Sequence, residues 1–184
     1  MERTKNDIWQ HTMTYGAILG ITLTIISIVF YILDVHRYII LFFILSWLTG
    51  LSLKVTFVVI GTKKYRDNVL GGYIKFGDAF ITGLLIVVFS SLLTTLYNIL
   101  LNTIIDPDYF GRIMETFKEW MGNFMYNHNV PEDQIDQALS QMESGEKPTI
   151  LKMLISGIMS TAVGGAILSL ITAAILKKES FDSQ

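Results

Sequence analysis

Polarity along this chain changes in long blocks. Uncharged runs at 12–33, 38–53 (continuing past Lys54 to Thr62), 79–105 and 153–176 are separated by short charged segments and, before the last run, by an acidic stretch at 106–148. A helix rises 1.5 Å per residue, so about 20 residues cross a hydrocarbon core of ~30 Å. Each run is long enough. Lipid offers no hydrogen-bond partner to the backbone, so a crossing segment must be a helix. The pattern predicts an all-α membrane protein with four transmembrane helices at about 12–33, 38–60, 79–104 and 150–176. An extracytoplasmic two-helix amphipathic insert at 106–148 lies between the third and fourth.

The insert has its own periodicity. Asp106 and Pro107 predict a helix start, with Asp as N-cap and Pro at the first helical position, where its missing N–H is harmless. Phe110, Ile113, Met114, Phe117, Trp120, Met121 and Phe124 then recur at a spacing of three to four, an amphipathic stripe. Asn127–Asn129 breaks it. Pro131 opens a second helix with Glu132 and Asp133 in the first turn, where they suit the helix dipole. Its stripe is Ile135, Ala138, Leu139 and Met142, and Gly145 to Pro148 end it. Three burials compete for Phe117 and Trp120: the rest of the protein, the lipid surface, or a partner protein. Four acids against two bases over 106–129 speak against a lipid surface, whose helices favour Lys and Arg.

Within the spans, Thr12, Gly16, Gly20 and Thr24 form one narrow face, and Gly157, Thr161, Gly165, Ser169 and Ala173 form another. Small-residue faces let helix backbones approach closely. They serve either packing within the chain, span one against span four, or contact with another subunit. Lys54 is the charge set well inside a span, costing about 3 kcal/mol at a helix centre, which the apolar residues around it offset. It either snorkels to the nearer headgroups or makes an ion pair or a substrate contact. Asn98 and Asn102, one turn apart, are the other intramembrane polar candidates, suited to interhelical hydrogen bonds. Trp9, Tyr15, Tyr31 and Tyr38 fall near the predicted boundaries, where amphipathic rings collect.

Composition agrees: hydrophobic residues are 51% and charged residues 16%, against about 25% charged in soluble domains. Cysteine is absent, so disulfides, thiolate metal sites and cysteine nucleophiles are excluded. The first apolar run is too long for a signal-peptide core and no small-residue cleavage site follows, so it is expected to be retained. Flanking basic residues set orientation. The N-terminus, the second connection and the tail carry eight (Arg3, Lys5, Lys63, Lys64, Arg66, Lys75, Lys177, Lys178). The opposite side carries five (Arg37, Arg112, Lys118, Lys147, Lys152). Both termini are therefore expected in the cytoplasm.

The segment Tyr65 to Phe80 is the most distinctive. Gly71–Gly72 predicts a turn, Asp78 is placed to cap the next helix, and Lys63, Lys64 and Arg66 would face anionic lipid. No phosphate-binding glycine motif is present. Tyr65-Arg66-Asp67, Gly71-Gly72-Tyr73-Ile74, Phe76-Gly77, Ala79-Phe80, Tyr97-Asn98 and Ile105-Asp106-Pro107-Asp108-Tyr109 resemble the bacterial membrane family catalogued as domain of unknown function 4199. The similarity runs from Trp9 to Lys177. The resemblance implies four membrane helices with a long loop before the last, in a bacterial inner membrane. It implies no activity, cofactor or site residue.

His11, His36 and His128 are far apart and match no ligand pattern, and no hydrolase or metalloprotease motif occurs. Asp34-Val35-His36-Arg37 is expected to be a charged turn. The acids Glu132, Asp133 and Asp136 lack a calcium-loop pattern. No catalytic residue, metal or cofactor is expected, nor nucleic acid, given a net charge of −2 without a basic face. The expected function is a non-enzymatic inner-membrane subunit or scaffold. It would bind membrane lipid and either a protein partner or itself through the glycine faces and the outer insert. The alternative is a small oligomeric transporter or channel-like protein using Lys54, Asn98 and Asn102.

Overall fold

A computed structural model describes residues 5–143 and 149–178. Its helices are α1 (Lys5–Ile32), α2 (Ile39–Lys64), α3 (Phe76–Leu100), α4 (Tyr109–Asn127), α5 (Glu132–Glu143) and α6 (Ile150–Leu176). Helices α1, α2, α3 and α6 are long and apolar enough to cross a membrane, making this a multi-pass membrane protein. A 3-10 turn, Val35–Arg37, joins α1 to α2. Wide π turns, Tyr65–Val69 and Leu101–Ile105, end α2 and α3. The predicted end of the second insert helix, Gly145 to Pro148, lies outside the described residues, as does Arg3.

Helix α1 starts well before the apolar run at residue 12, and α2 continues beyond it. The apolar run marks the part that meets lipid, whereas polar residues extend a helix readily into the headgroup layer. Two predicted caps are displaced. Helix α3 begins at Phe76, so Asp78 sits in its first turn instead of capping it. Helix α4 begins at Tyr109, two residues after Pro107, and the Asp106 side chain has a different use, described below.

The organising helix is α3. Of its apolar window 44% is buried, against 22% for α6, 17% for α1 and 6% for α2, so α3 is the core and α2 is peripheral. It lies between α1 and α6, and this corrects the expected pairing of spans one and four. A Cβ added to Gly16 would stand 2.5 Å from Phe89 Cβ and 2.9 Å from the Ile86 carbonyl oxygen; at Gly20, Leu93 and the Ser90 carbonyl close in to about 3 Å. On the other side, a Cβ on Gly157 would meet Thr95 Oγ1 at 2.8 Å and one on Gly165 would meet Val87 Cγ1 at 2.7 Å. Both glycine faces are therefore filled by α3. It can serve two neighbours because it is itself slim on both sides, burying Thr82, Gly83, Ser90, Ser91 and Thr95. Leu19, Val58, Ile86 and Val87 complete the core.

The end of the bundle holding the α1 N-terminus and the α6 C-terminus is closed. Ile74 and Lys178 exchange two backbone hydrogen bonds (2.9 and 3.0 Å), tying the loop before α3 to the end of α6. Gly71 and Gly72 have φ of +68° and +93°, left-handed values that glycine adopts without steric cost. Arg66 donates to the Leu176 carbonyl, and Lys178 Nζ sits 5.4 Å above the Tyr73 ring. Tyr65, Ile74, Ala79 and Ala173 pack beneath, with Ile8, Leu70 and Phe80 around them. His11 Nε2 donates to the Gly61 carbonyl at 2.8 Å, since a carbonyl can only accept.

Candidate functional site

The opposite end, where the α1–α2 turn and α4 lie, is built differently. Ser46, Gly50 and Lys54 recur every four residues and so share one face of α2. No neighbour fills the space over Gly50. A cavity of about 350 Å³ results, enclosed by α1, α2 and α3 and roofed by Tyr109, Phe110 and Ile113 of α4. Thr24 and Ser27 line it from α1, Ser46, Thr49 and Lys54 from α2, and Ser90, Ser91, Thr94, Tyr97, Asn98 and Asn102 from α3. A second crevice of about 420 Å³, between α2 and α6, also reaches Lys54 and includes Trp47, Ser160 and Gly164.

Lys54, Asn98 and Asn102 thus share one cavity. Lys54 lies 15 residues into α2, about 22 Å from its start at 1.5 Å per residue. A helical side chain leans toward its helix N-terminus, here the turn end. Ser46 and Asn98, which share the cavity wall with it, lie on that side. No acid lines either cavity, and Lys54 has no charged or hydrogen-bonding partner among the described residues.

Much of the α3 wall has its protons committed to its own helix. Ser90 donates to the Val87 carbonyl (2.8 Å) and Ser91 to that of Val88 (2.7 Å). Thr94 donates to the Ser90 and Ser91 carbonyls. Asn98 Nδ2 donates to the Thr94 carbonyl (2.9 Å) and Asn102 Nδ2 to that of Asn98 (2.8 Å). A hydroxyl has one proton and two lone pairs, so the hydroxyls of this wall present acceptors, while the Asn98 and Asn102 amides each keep a second N–H beside their acceptor oxygen. Asn102 Oδ1 is buried without a donor. The amides thus bond along α3, not between helices as expected.

The roof is clasped. Asp106, at the end of the π turn, forms a bidentate ion pair with Arg112 of α4 and accepts from Tyr31 Oη of α1 at 3.1 Å. The Arg112 hydrogen bonds hold the Asp106 carboxyl below the usual range. Tyr109 is buried edge-on to Tyr31 (5.1 Å) and to His36 (5.3 Å). Burial pushes its phenol up to about 12, so it stays neutral. His36 is buried beneath it, Nδ1 3.9 Å from Asp34 and without a hydrogen bond. Burial lowers its pKa below 6.5; Arg112 and Arg37 push the same way and Asp34 pushes against. Sequence reasoning placed His36 in a charged turn, where the 3-10 turn indeed holds it, but nothing local signalled its burial.

Phe117 and Trp120 lie elsewhere. Phe117 meets Phe43 of α2 edge-on (5.8 Å), and Phe117, Trp120, Phe124 and His128 stack along α4. Helix α5 packs on α4 near Gly122 through Leu139. No cluster of three or more His, Asp or Glu forms among the described residues.

A family model described as protein of unknown function (DUF4199) matches residues 14–178. No curated protein and no solved structure matches the chain significantly.

Proposed function

The chain belongs to the DUF4199 family, whose description names no activity, and from the cavity we propose that the protein binds a small polar solute within the membrane and passes it across, as a small transporter or channel-like protein. The observation that carries this reading is a cavity of about 350 Å³ whose wall gathers Lys54 with many hydroxyl and amide side chains, with α4 over one end. A partly buried charge without a partner among the described residues is costly in a span and marks a functional position by default. Helix α2 is suited to move because so little of it is buried. The charge balance of the flanks supports an orientation with both termini cytoplasmic and the roofed end outside, and the resemblance to a bacterial membrane family supports a bacterial inner membrane as the location.

The absence of cysteine makes the test direct. Single cysteines at Thr94 and Asn98 should react with a charged methanethiosulfonate from the α4 side only, whereas one at the lipid-facing Leu96 should not. Equal reactivity at all three would defeat the cavity reading. Proteoliposome uptake from an isotope-labelled amino-acid mixture then tests for passage.

A second reading rests on α6. While Gly157, Gly165 and Ser169 are taken by α3, Ser156, Ser160 and Gly164 form a parallel small-residue line that stays exposed. A second copy packing there would make a homo-oligomer, closer to the scaffold reading. Native mass spectrometry in nanodiscs would show a dimer or larger, reduced to monomer by Gly164→Leu; a monomer throughout would end it.

A further inference from the structure

The cavity wall has a polarity that defines a ligand. Lys54 supplies a cation with no counter-charge among the described residues. Asn102 Oδ1, on the α3 wall, is a buried acceptor with no donor. Thr24 and Ser46 place further hydroxyls among the lining residues. The two do not bond to each other: Asn102 Oδ1 has no hydrogen-bond partner and Lys54 no charged one among the described residues. The carboxylate nearest the roof, Asp106, is already bound by Arg112 and Tyr31. An unpaired charge and an unpaired acceptor lining one cavity within the span are both costly. A single occupant can relieve both costs.

Resting on the solute-binding reading, we propose that the occupant is a small carboxylate-bearing solute that also carries an N–H or O–H donor, the pattern of a zwitterionic amino acid or a hydroxy acid. Its carboxylate pairs with Lys54. Its donor faces the lone pairs of Thr94, Asn98 and Asn102. The volume, about 350 Å³, is at the small end of the usual range for ligand sites. A purely anionic solute satisfies only Lys54. A purely cationic one is repelled by it. The α3 wall then contributes discrimination, since a site built to accept a hydrogen bond rejects an analogue without the donor.

The test uses the whole protein in nanodiscs with its lysines reductively ¹³C-methylated, the Lys54 signal being assigned by its loss in Lys54→Gln. β-Alanine, acetate and ethanolamine are the probes. β-Alanine should shift the Lys54 signal saturably, acetate should do so at least tenfold more weakly, and ethanolamine should not. Asn102→Leu should bring β-alanine down to the acetate level while leaving acetate unchanged. Equal responses to β-alanine and acetate, or an Asn102→Leu variant that distinguishes them as before, would overturn the donor assignment. A saturable ethanolamine shift of the Lys54 signal would overturn the ligand class yet leave the solute cavity standing. If none of the three perturbs Lys54 and cysteines at Thr94 and Asn98 are also inaccessible, the cavity reading itself falls. Asn98→Leu serves as a second variant should Asn102→Leu fail to fold.

Discussion

At the scale of single residues, two positions have consequences that can be measured separately. Gly16→Ala places a methyl against the Ile86 carbonyl and the Phe89 Cβ. Backbone cannot swing aside as a side-chain end can, so α1 must move off α3, with a loss of about 1–3 kcal/mol as for other overpacked contacts. Thermal unfolding in detergent should show it; Gly50→Ala, in open space, should cost much less. His36 gives a pH dependence. Its folded pKa is depressed, chiefly by burial, so the chain with the roof open binds a proton more readily than the closed form. The stability contributed by neutral His36 is complete above 6.5, the ordinary value, and is lost as pH falls below it. Hydrogen exchange across 109–127, corrected for intrinsic rate, should therefore rise between about pH 7.5 and about pH 5.5, and His36→Phe should flatten the change. These residues also show where reading from sequence stops. Gly16 is visible as part of a periodic face, but its neighbour is not. His36 carries no periodic signal at all; its burial comes from Tyr109, 73 positions away in the chain.

At the scale of elements, α4 behaves as a roof held by a clasp. Asp106 joins α4 to both α3 and α1, and α4 otherwise rests on the α1–α2 turn and the start of α2. Asp106→Asn removes the charge that Arg112 grips, and exchange should speed up along α4 while α3 stays protected. Unchanged exchange in α4 would show that the aromatic packing of Tyr109 and Phe117 suffices. The helices themselves were legible: apolar length locates the four spans, and a spacing of three to four locates α4 and α5. Their partners were not. Span three was singled out for Asn98 and Asn102, yet its hydroxyl and glycine positions Thr82, Gly83, Ser90, Ser91 and Thr95 make it the central helix. The Ser46–Gly50–Lys54 line was equally available in the sequence, and it is what turns an isolated charge into a lined cavity. The caps moved because the chain continued as a π turn to Ile105, so Asp106 and Pro107 fall in a turn instead of a first helical turn.

At the scale of the whole molecule, the two ends differ: one is pinned by the Ile74–Lys178 bridge, and the other is roofed over a cavity. In the proposed orientation the roofed end lies outside and the pinned end in the cytoplasm. A cysteine at Asn129 should be labelled by an impermeant maleimide in intact cells, and one at Lys178 only after permeabilisation; the reverse pattern would invert the assignment. The placement of α3 between α1 and α6 has a further consequence for assembly. A chain made from its N-terminus releases α1 with its glycine face bare, and that face has no partner until residues 86–93 have been synthesised. The α1–α2 hairpin must wait in the membrane as a loosely paired intermediate, while α6 arrives last to a helix already half covered. Arrested chains ending before α3 should therefore be open to capture by insertion chaperones, and those that include α3 should not.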